Sequence, residues 1–136
     1  MTNNNILSDD PQTGKEIRAF FDEFIQTYPK DNLRRYLNLF QHDENLVMFS
    51  TGENWIGWKS YKNAHAEELK RLDKISFSYD WLKVNSYGEI AWVAAKVTLI
   101  VHDNGKQTKA PARLTCVLKK IDNSWKIVQG HISVPN

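Results

Sequence analysis

Cysteine is nearly absent from this sequence, since Cys116 is the only one in 136 residues. A single cysteine cannot form an internal disulfide, so the composition gives no sign of an oxidising compartment, and it cannot build a cysteine-rich zinc site. The histidines show neither an i, i+4 pair nor a His-Glu-x-x-His motif. There is no glycine-rich phosphate loop either. We therefore expect neither a metal nor a cofactor.

A long apolar run and an excess of one charge are also missing. No stretch approaches the ~20 consecutive apolar residues of a membrane-spanning helix. The 18 Lys and Arg residues nearly balance the 16 Asp and Glu residues, giving a net charge of +2, which disfavours binding to nucleic acid through its phosphates unless the charges cluster. The N-terminal segment lacks the basic start and the apolar run of a secretory signal. We expect a cytoplasmic protein with neither a membrane nor a nucleic-acid partner.

Aromatic residues, in contrast, are abundant: 6 Phe, 5 Tyr and 5 Trp make up 12% of the chain. In a single domain of this length they either fill the core or line a ligand site. The turn before Trp125 indicates that this tryptophan anchors the last strand. For the other tryptophans both interpretations stay open.

Hydrophobic periodicity predicts helices in the first half of the chain and strands in the second. Residues 1–12 are polar and predict a flexible arm, and residues 13–136 form a single domain. Thr13 and Glu16 have the spacing of a capping box and predict that the first helix starts at Thr13. A loop is predicted over residues 51–57. The predicted helices are 13–28, 31–40 and 59–72, and the predicted strands are 46–50, 75–84, 90–101, 113–120 and 125–134.

This order of elements predicts an α+β fold in which antiparallel strands form a twisted, curved sheet. Alternate residues of the strand 90–101 are wholly apolar on one face and mixed on the other, so both faces are at least half covered. Helices cover one face. We expect a homodimer in which a second copy of the chain covers the other, because an exposed apolar patch of that size is unusual on a monomer.

Two segments carry a resemblance to a known family. Residues 113–133, RLTCVLKKIDNSWKIVQGHIS, contain the pattern Asp-x-x-Trp-x-x-Val-x-x-His-x-Ser, and residues 50–58, STGENWIGW, precede the third predicted helix. Over residues 15–134 the chain resembles the nuclear transport factor 2-like superfamily, specifically its SnoaL-like branch. It is also similar to the association domain of calcium/calmodulin-dependent protein kinase II.

The resemblance implies a cone-shaped, cystatin-like fold. About three N-terminal helices wrap a curved antiparallel sheet and leave a pocket between the third helix and the concave face. Members are commonly dimers through the sheet. They include steroid isomerases, polyketide cyclases, dehydratases and protein-binding modules, so the fold does not decide the function.

Polar candidates for such a pocket are few. His131 belongs to the family pattern and is either an acid or base in the pocket or a structural histidine. His65 lies on the apolar stripe of the third helix, which covers the pocket in the family. Lys96 needs a partner or an anion if it is buried, or it reaches solvent from the outside of the sheet. Arg113 binds a carboxylate ligand or pairs with an acidic side chain.

Aromatic candidates complete the predicted pocket, where they would line a site for a flat or apolar ligand. Core filling is the alternative for each of them. The aromatic candidates are Trp58, Tyr61, Tyr79 and Trp92. Isomerases and cyclases of the superfamily also use a pocket carboxylate, for which Asp80 and Glu53 are the candidates, and neither matches a catalytic motif.

The sequence favours a pocket protein that binds a small apolar or weakly anionic molecule. One alternative is an isomerase, cyclase or dehydratase that needs no cofactor and uses His131 or Asp80 as its acid or base. The other is an association module whose role is to form homo-oligomers.

Overall fold

Helices precede most of the strands in the computed structural model, which describes residues 10–27, 33–71 and 74–135. The predicted arm up to residue 9 and the predicted helix ends at residues 28, 31–32 and 72 lie outside the described residues. The helices are α1 (Pro11–Thr27), α2 (Leu33–Leu37) and α3 (Trp58–Arg71). The strands are β1 (Val47–Ser50), β2 (Glu53–Ile56), β3 (Lys74–Tyr87), β4 (Ile90–Asp103), β5 (Lys106–Ile121) and β6 (Ser124–Ser133).

The strands form one curved, open sheet in the order β2-β1-β6-β5-β4-β3. Neighbouring strands are antiparallel except β1 and β6, which run parallel. The α+β prediction is confirmed. The predicted loop at 51–57 is wrong at residues 53–56, because β2 pairs there with β1 at the edge of the sheet. Within the described ranges, no helix is long and apolar enough to cross a membrane.

The start of α1 is capped by Asp10 and not by the predicted Thr13. The Asp10 carboxylate accepts hydrogen bonds from the Thr13 backbone N–H at 3.2 Å and from the Thr13 hydroxyl at 2.7 Å. These hydrogen bonds lower the pKa of Asp10 below its usual value. Pro11 occupies the first helical position, where an N–H would have no helical partner. The predicted start at Thr13 is therefore wrong, since the cap is Asp10.

α1 packs against the sheet through two contacts near its middle. The Phe21 ring meets the Tyr79 ring of β3 edge-on, with the centroids 5.3 Å apart. The Trp125 indole N–H of β6 donates to the Glu16 carboxylate at 2.8 Å, and the Lys120 ammonium lies 3.6 Å from the same carboxylate. Trp125 is buried. The prediction that Trp125 anchors the last strand is confirmed.

A β-bulge in β3 decides which of its side chains face the helices. Tyr79 pairs with Val97 and Trp81 pairs with Lys96, so Asp80 is the extra residue. An extra residue reverses the alternation of faces beyond it. Trp81 therefore lies on the face away from the helices, with 45% of its surface exposed. The alternation predicted to continue unbroken through Trp81 is wrong beyond Tyr79.

We call the face of the sheet that packs against the helices the inner face and the opposite face the outer face. The inner residues of β4 are buried: Ala91, Val93, Ala95 and Val97. The residues between them point to the outer face and are half-buried or exposed: Trp92, Ala94 and Lys96. The helices thus cover the inner face and leave the outer face open.

Candidate functional site

A cavity of about 80 Å³, called here the inner cavity, lies between the helices and the inner face of the sheet. All three helices contribute side chains to it, and so do β1, β2, β3, β5 and β6. The described lining contains no Asp, Glu, Lys or Arg. Its apolar part comprises Phe24, Met48, Phe49, Trp55, Phe77, Leu114, Cys116, Ile127 and Ile132.

Two tyrosine hydroxyls meet in this apolar surrounding. The Tyr36 hydroxyl on α2 and the Tyr61 hydroxyl on α3 are hydrogen-bonded at 2.9 Å, and both residues are only 3% exposed. Tyr36 stacks on Phe24 with the ring centroids 5.4 Å apart, and the Tyr61 ring lies 4.8 Å from Phe40. Ring packing therefore fixes both hydroxyls in position before any ligand arrives.

His65 contributes an imidazole to the same cavity, one helical turn after Tyr61. Residues four apart lie on one face of a helix, and the two ring centroids are 4.3 Å apart in an edge-on arrangement. Burial lowers the pKa of His65 from its ordinary value of 6.5 to about 4, because the charged imidazolium would lose its hydration. At neutral pH His65 is therefore an uncharged hydrogen-bonding group.

Cys116 forms part of the cavity wall without being a nucleophile at neutral pH. Burial raises the pKa of its thiol to about 12, and only the thiolate is reactive. In the part of the chain that the structure describes, no three His, Cys, Asp or Glu side chains come together as metal ligands. The interior of the cavity therefore offers hydroxyl and neutral imidazole chemistry.

A family model identifies the chain. The model of the SnoaL-like domain matches residues 17–136. The chain belongs to this family. The resemblance to the SnoaL-like branch of the nuclear transport factor 2-like superfamily is thereby confirmed, whereas the similarity to the kinase association domain stays a prediction. Among curated proteins, none matches the sequence significantly.

Solved structures share the fold of this SnoaL-like domain at low sequence identity. A nuclear transport factor 2-like superfamily protein from Salmonella enterica has a TM-score of 0.82 and 20% identity, with 93% of both chains covered. A cystatin-like protein of unknown function from Nostoc punctiforme has a TM-score of 0.73 and 14% identity, with 90% of both chains covered. A proposed scytalone dehydratase from Novosphingobium aromaticivorans has a TM-score of 0.82 and 12% identity, with 93% of this chain and 87% of the Novosphingobium chain covered. The cystatin-like fold is confirmed.

The SnoaL-like domain brings only part of the predicted site together. Tyr61 and His65 both line the inner cavity. Trp58, the first residue of α3, instead stacks on His42 with the ring centroids 3.8 Å apart. Tyr79 faces the helices, but its hydroxyl donates to the Asp22 carboxylate at 2.8 Å outside the cavity.

Three further predicted pocket residues, Trp92, Lys96 and Arg113, lie on the outer face. The two-residue alternation of β4 and β5 places them there. The Lys96 ammonium lies 5.7 Å from the centre of the Trp81 ring, and Arg113 is directly opposite Lys96 in the neighbouring strand. The expectation of one shared pocket is therefore corrected, because the sheet itself separates these residues from Tyr61 and His65.

His131 lies at the boundary between the two faces. Its neighbours in register are Thr115 and Phe49, and its ring lies 6.1 Å from the Phe49 ring. His131 borders the inner cavity and also a groove of about 390 Å³ on the outer face, which Trp92 lines as well. The His131 side chain is exposed, so it contacts solvent or a partner more readily than a ligand inside the inner cavity.

Neither predicted carboxylate reaches the inner cavity. Asp80 is the exposed bulge residue of β3, and its carboxylate accepts a hydrogen bond from the Thr98 hydroxyl at 3.5 Å. Glu53 is exposed at the start of β2. The pocket carboxylate implied by the superfamily's isomerases therefore has no counterpart in the described lining.

Sequence reasoning missed Tyr36 and Met48 as cavity residues. The spacing of Tyr36 from Leu33 and Phe40 predicts only that it faces the core. Its contact with Tyr61 depends on how two separate helices pack. Met48 lies in a short strand whose one polar residue is the terminal Ser50, so no polar alternation shows which side chains point inward.

Proposed function

We propose that this SnoaL-like domain binds a small, uncharged and mostly apolar molecule in the inner cavity. The observation that carries the proposal is the Tyr36–Tyr61 hydroxyl pair within an apolar lining. A phenol hydroxyl rotates and is both a donor and an acceptor, so a ligand oxygen that enters the cavity is able to exchange hydrogen bonds with this pair. Apolar cavities with a few placed polar groups are the usual form of small-molecule sites.

The charge of the lining narrows the class of ligand. His65 is neutral at pH 7 and no Lys or Arg belongs to the described lining, so a carboxylate would enter without a cation beside it. Burying an unpaired charge costs several kcal/mol or more. A ketone or an alcohol therefore fits the cavity better than the weakly anionic molecule that the sequence also allowed.

The volume of the cavity limits the size of the ligand. An engineered apolar cavity of ~150 Å³ accommodates benzene, whereas the inner cavity measures about 80 Å³. Small ketones are thus suitable probes, and cyclopentanone, which is about as large as benzene, needs a small adjustment of the cavity lining when it binds.

NMR titration of the ¹⁵N-labelled protein with cyclopentanone, cyclopentane and acetate tests the proposal. We expect saturable shifts of the amides around Tyr61 and His65 with cyclopentanone, weaker binding of cyclopentane because it has no oxygen, and no binding of acetate. Tyr61→Phe keeps the ring and should remove the preference for the ketone. Tyr87→Phe, at an exposed tyrosine, is the matched control and should keep it. Binding of acetate alone, or no saturable shift with any probe, would overturn the proposal.

An enzyme that removes a proton next to a carbonyl is the second candidate, because His65 and the tyrosine hydroxyls share one cavity. A neutral imidazole is a base, and phenol O–H groups stabilise the oxygen of an enolate. Two structural neighbours, from Novosphingobium aromaticivorans and Streptomyces avermitilis, are named as proposed dehydratases. The low pKa of His65, about 4, makes it a weak base at neutral pH, which is why binding is the first candidate.

Hydrogen exchange at the α-carbons of cyclopentanone in D₂O, followed by NMR, separates the two candidates. Binding without catalysis predicts exchange at the rate of the buffer alone. Faster exchange with the wild-type protein that disappears in His65→Gln, while cyclopentanone still binds, would establish the enzyme.

A further inference from the structure

Met48 and Gly130 form a matched pair on the sheet side of the inner cavity. They are neighbours in register between β1 and β6, and both line the cavity. A Cβ atom placed on Gly130 would lie 2.9 Å from the Met48 Cε atom and 3.0 Å from its Sδ atom, well inside the ~3.5–4.0 Å separation of favourable nonbonded contacts. The Met48 thioether therefore occupies the space that a side chain at residue 130 would fill.

Backbone conformation does not account for this glycine. The described glycines with positive φ are Gly52, Gly57, Gly88 and Gly105, and Gly130 is not one of them. Glycine inside a strand weakens the strand and often marks the close approach of another group. Here the approaching group is the end of the Met48 side chain.

Met48 is also the most adaptable part of the cavity lining. Methionine is unbranched and flexible, and it fills irregular gaps, whereas the nearby Ile127 and Ile132 are stiff at their branched Cβ atoms. Met48 is only half-buried, and its contact at Gly130 is made by the far end of the side chain. Rotation of the terminal bonds therefore moves the thioether while β1 stays in place.

We propose that Met48 sets the size limit of the inner cavity and admits larger apolar ketones when its half-buried side chain rotates out of the cavity towards solvent. This inference rests on the proposed function and extends its ligand class from small single rings to bicyclic ketones such as 1-indanone. Gly130 provides the shallow space in which Met48 lies flat on the sheet, so a methyl group there would lift the thioether into the cavity.

Affinities for cyclopentanone and 1-indanone, measured by NMR titration, test the role of Met48. Met48→Ala opens the cavity and should raise the affinity for 1-indanone at least tenfold relative to that for cyclopentanone. Gly130→Ala should weaken the binding of both ketones at least tenfold. The double variant Gly130→Ala/Met48→Ala should regain the lost affinity for both. The matched control is Val47→Ala, because this neighbour on β1 points to the outer face, and it should change neither affinity.

The outcomes separate this inference from the function on which it rests. If the wild-type protein binds cyclopentanone but Met48→Ala binds 1-indanone no more tightly, the role of Met48 is overturned and the proposed function stands. The role of Met48 would also be overturned if Gly130→Ala weakened ketone binding equally in the wild-type protein and in Met48→Ala. If no variant binds either ketone, the proposed function fails and this inference fails with it. The ¹³C shift of the Met48 methyl group should change when 1-indanone binds to the wild-type protein.

Discussion

His65 is surrounded by aromatic rings that deny its charged form a hydration shell. The Tyr61 ring is 4.3 Å away, the Tyr36 ring 5.5 Å and the Trp55 ring 6.4 Å. Burial holds the pKa of His65 near 4 in the folded protein, against 6.5 ordinarily. Between these two values the unfolded chain binds a proton that the folded chain does not. The folded state therefore loses stability as the pH falls from about 6.5 towards 4.

Acid denaturation should report this histidine directly. We expect the free energy of unfolding, measured with urea, to fall by about 3 kcal/mol between pH 7 and pH 4 because of His65 alone. His65→Phe should lack this part of the pH dependence. His131→Phe, at an exposed histidine, should retain it. An unchanged pH dependence in His65→Phe would contradict the assignment.

At the scale of single residues, the sequence predicts which way a side chain faces better than what it touches. Spacing by four residues was enough to predict that Tyr61 and His65 share one face of α3. The sequence does not predict which face of the sheet carries Lys96. Both faces of β4 have mostly apolar residues, so neither is recognisable as the solvent-facing one. Only the pairing with β3 and β5 resolves it.

Among the elements, β3 departs most from its sequence pattern. The apolar residues at positions 75, 77, 79 and 81 continue a two-residue period straight through the bulge, so hydrophobicity carries no sign of it. The change of register is visible only in the pairing of Tyr79 and Trp81 with β4. The bulge directs Trp81 outward and lets Leu82 and Val84 pack against the core.

Deleting Asp80 tests whether it is the extra residue of β3. Tyr79 and Trp81 already pair with the adjacent residues Val97 and Lys96, so without Asp80 the regular alternation keeps Tyr79 inward and Trp81 outward. Deleting Lys83, in the regular part of β3, instead turns the residues on one side of the deletion to the opposite face. We expect the Asp80 deletion to melt much closer to the wild-type temperature in circular dichroism than the Lys83 deletion, which should be insoluble or strongly destabilised. Equal damage from the two deletions would contradict the assignment of Asp80 as the extra residue.

The N-terminus of α1 offers a second test at the scale of an element. Thr13 and Asp10 are both good capping residues, and the sequence pattern alone does not rank them. Asp10→Ala should lower the melting temperature by several degrees because it removes the acceptor at the helix start. Asp10→Asn keeps an acceptor oxygen, so it should lower the melting temperature much less. A larger loss in Thr13→Val than in Asp10→Ala would identify Thr13 as the cap after all.

For the whole molecule, the α+β architecture was predictable because helical and strand periodicities occupy different halves of the chain. The edge strand β2 was not, since it has only four residues and glycines stand on both sides of it. The parallel pairing of β1 with β6 was not predicted either, because it joins segments that are distant in sequence. Local patterns carry no information about such contacts.

The outer face of the sheet carries large apolar side chains that none of the described helices covers. Phe49 is 44% exposed and Ile56 is 67% exposed, and Trp92 is half-buried beside the outer groove. Contiguous exposed apolar surface usually marks an interaction site. We propose that a second copy of the chain covers this face in a two-fold symmetric dimer.

Sedimentation equilibrium at micromolar concentration tests the dimer. The wild-type protein should sediment as a dimer. Ala94→Arg should sediment as a monomer, because it places a large charge at the centre of the outer face. Thr108→Arg introduces the same side chain at an exposed position towards the end of the β4–β5 hairpin, and it should remain dimeric. A monomeric wild-type protein would contradict the proposal and would also disfavour the association-module alternative.

The parallel pairing of β1 with β6 delays the folding of β1 during synthesis of the chain. Residues 47–49 pair with residues 129–131, so this edge of β1 stays unpaired until β6 has been synthesised. At about 5–20 residues per second this wait lasts several seconds. During that time the nascent chain presents an apolar strand with one edge unpaired, a typical target for chaperones and a hazard for aggregation.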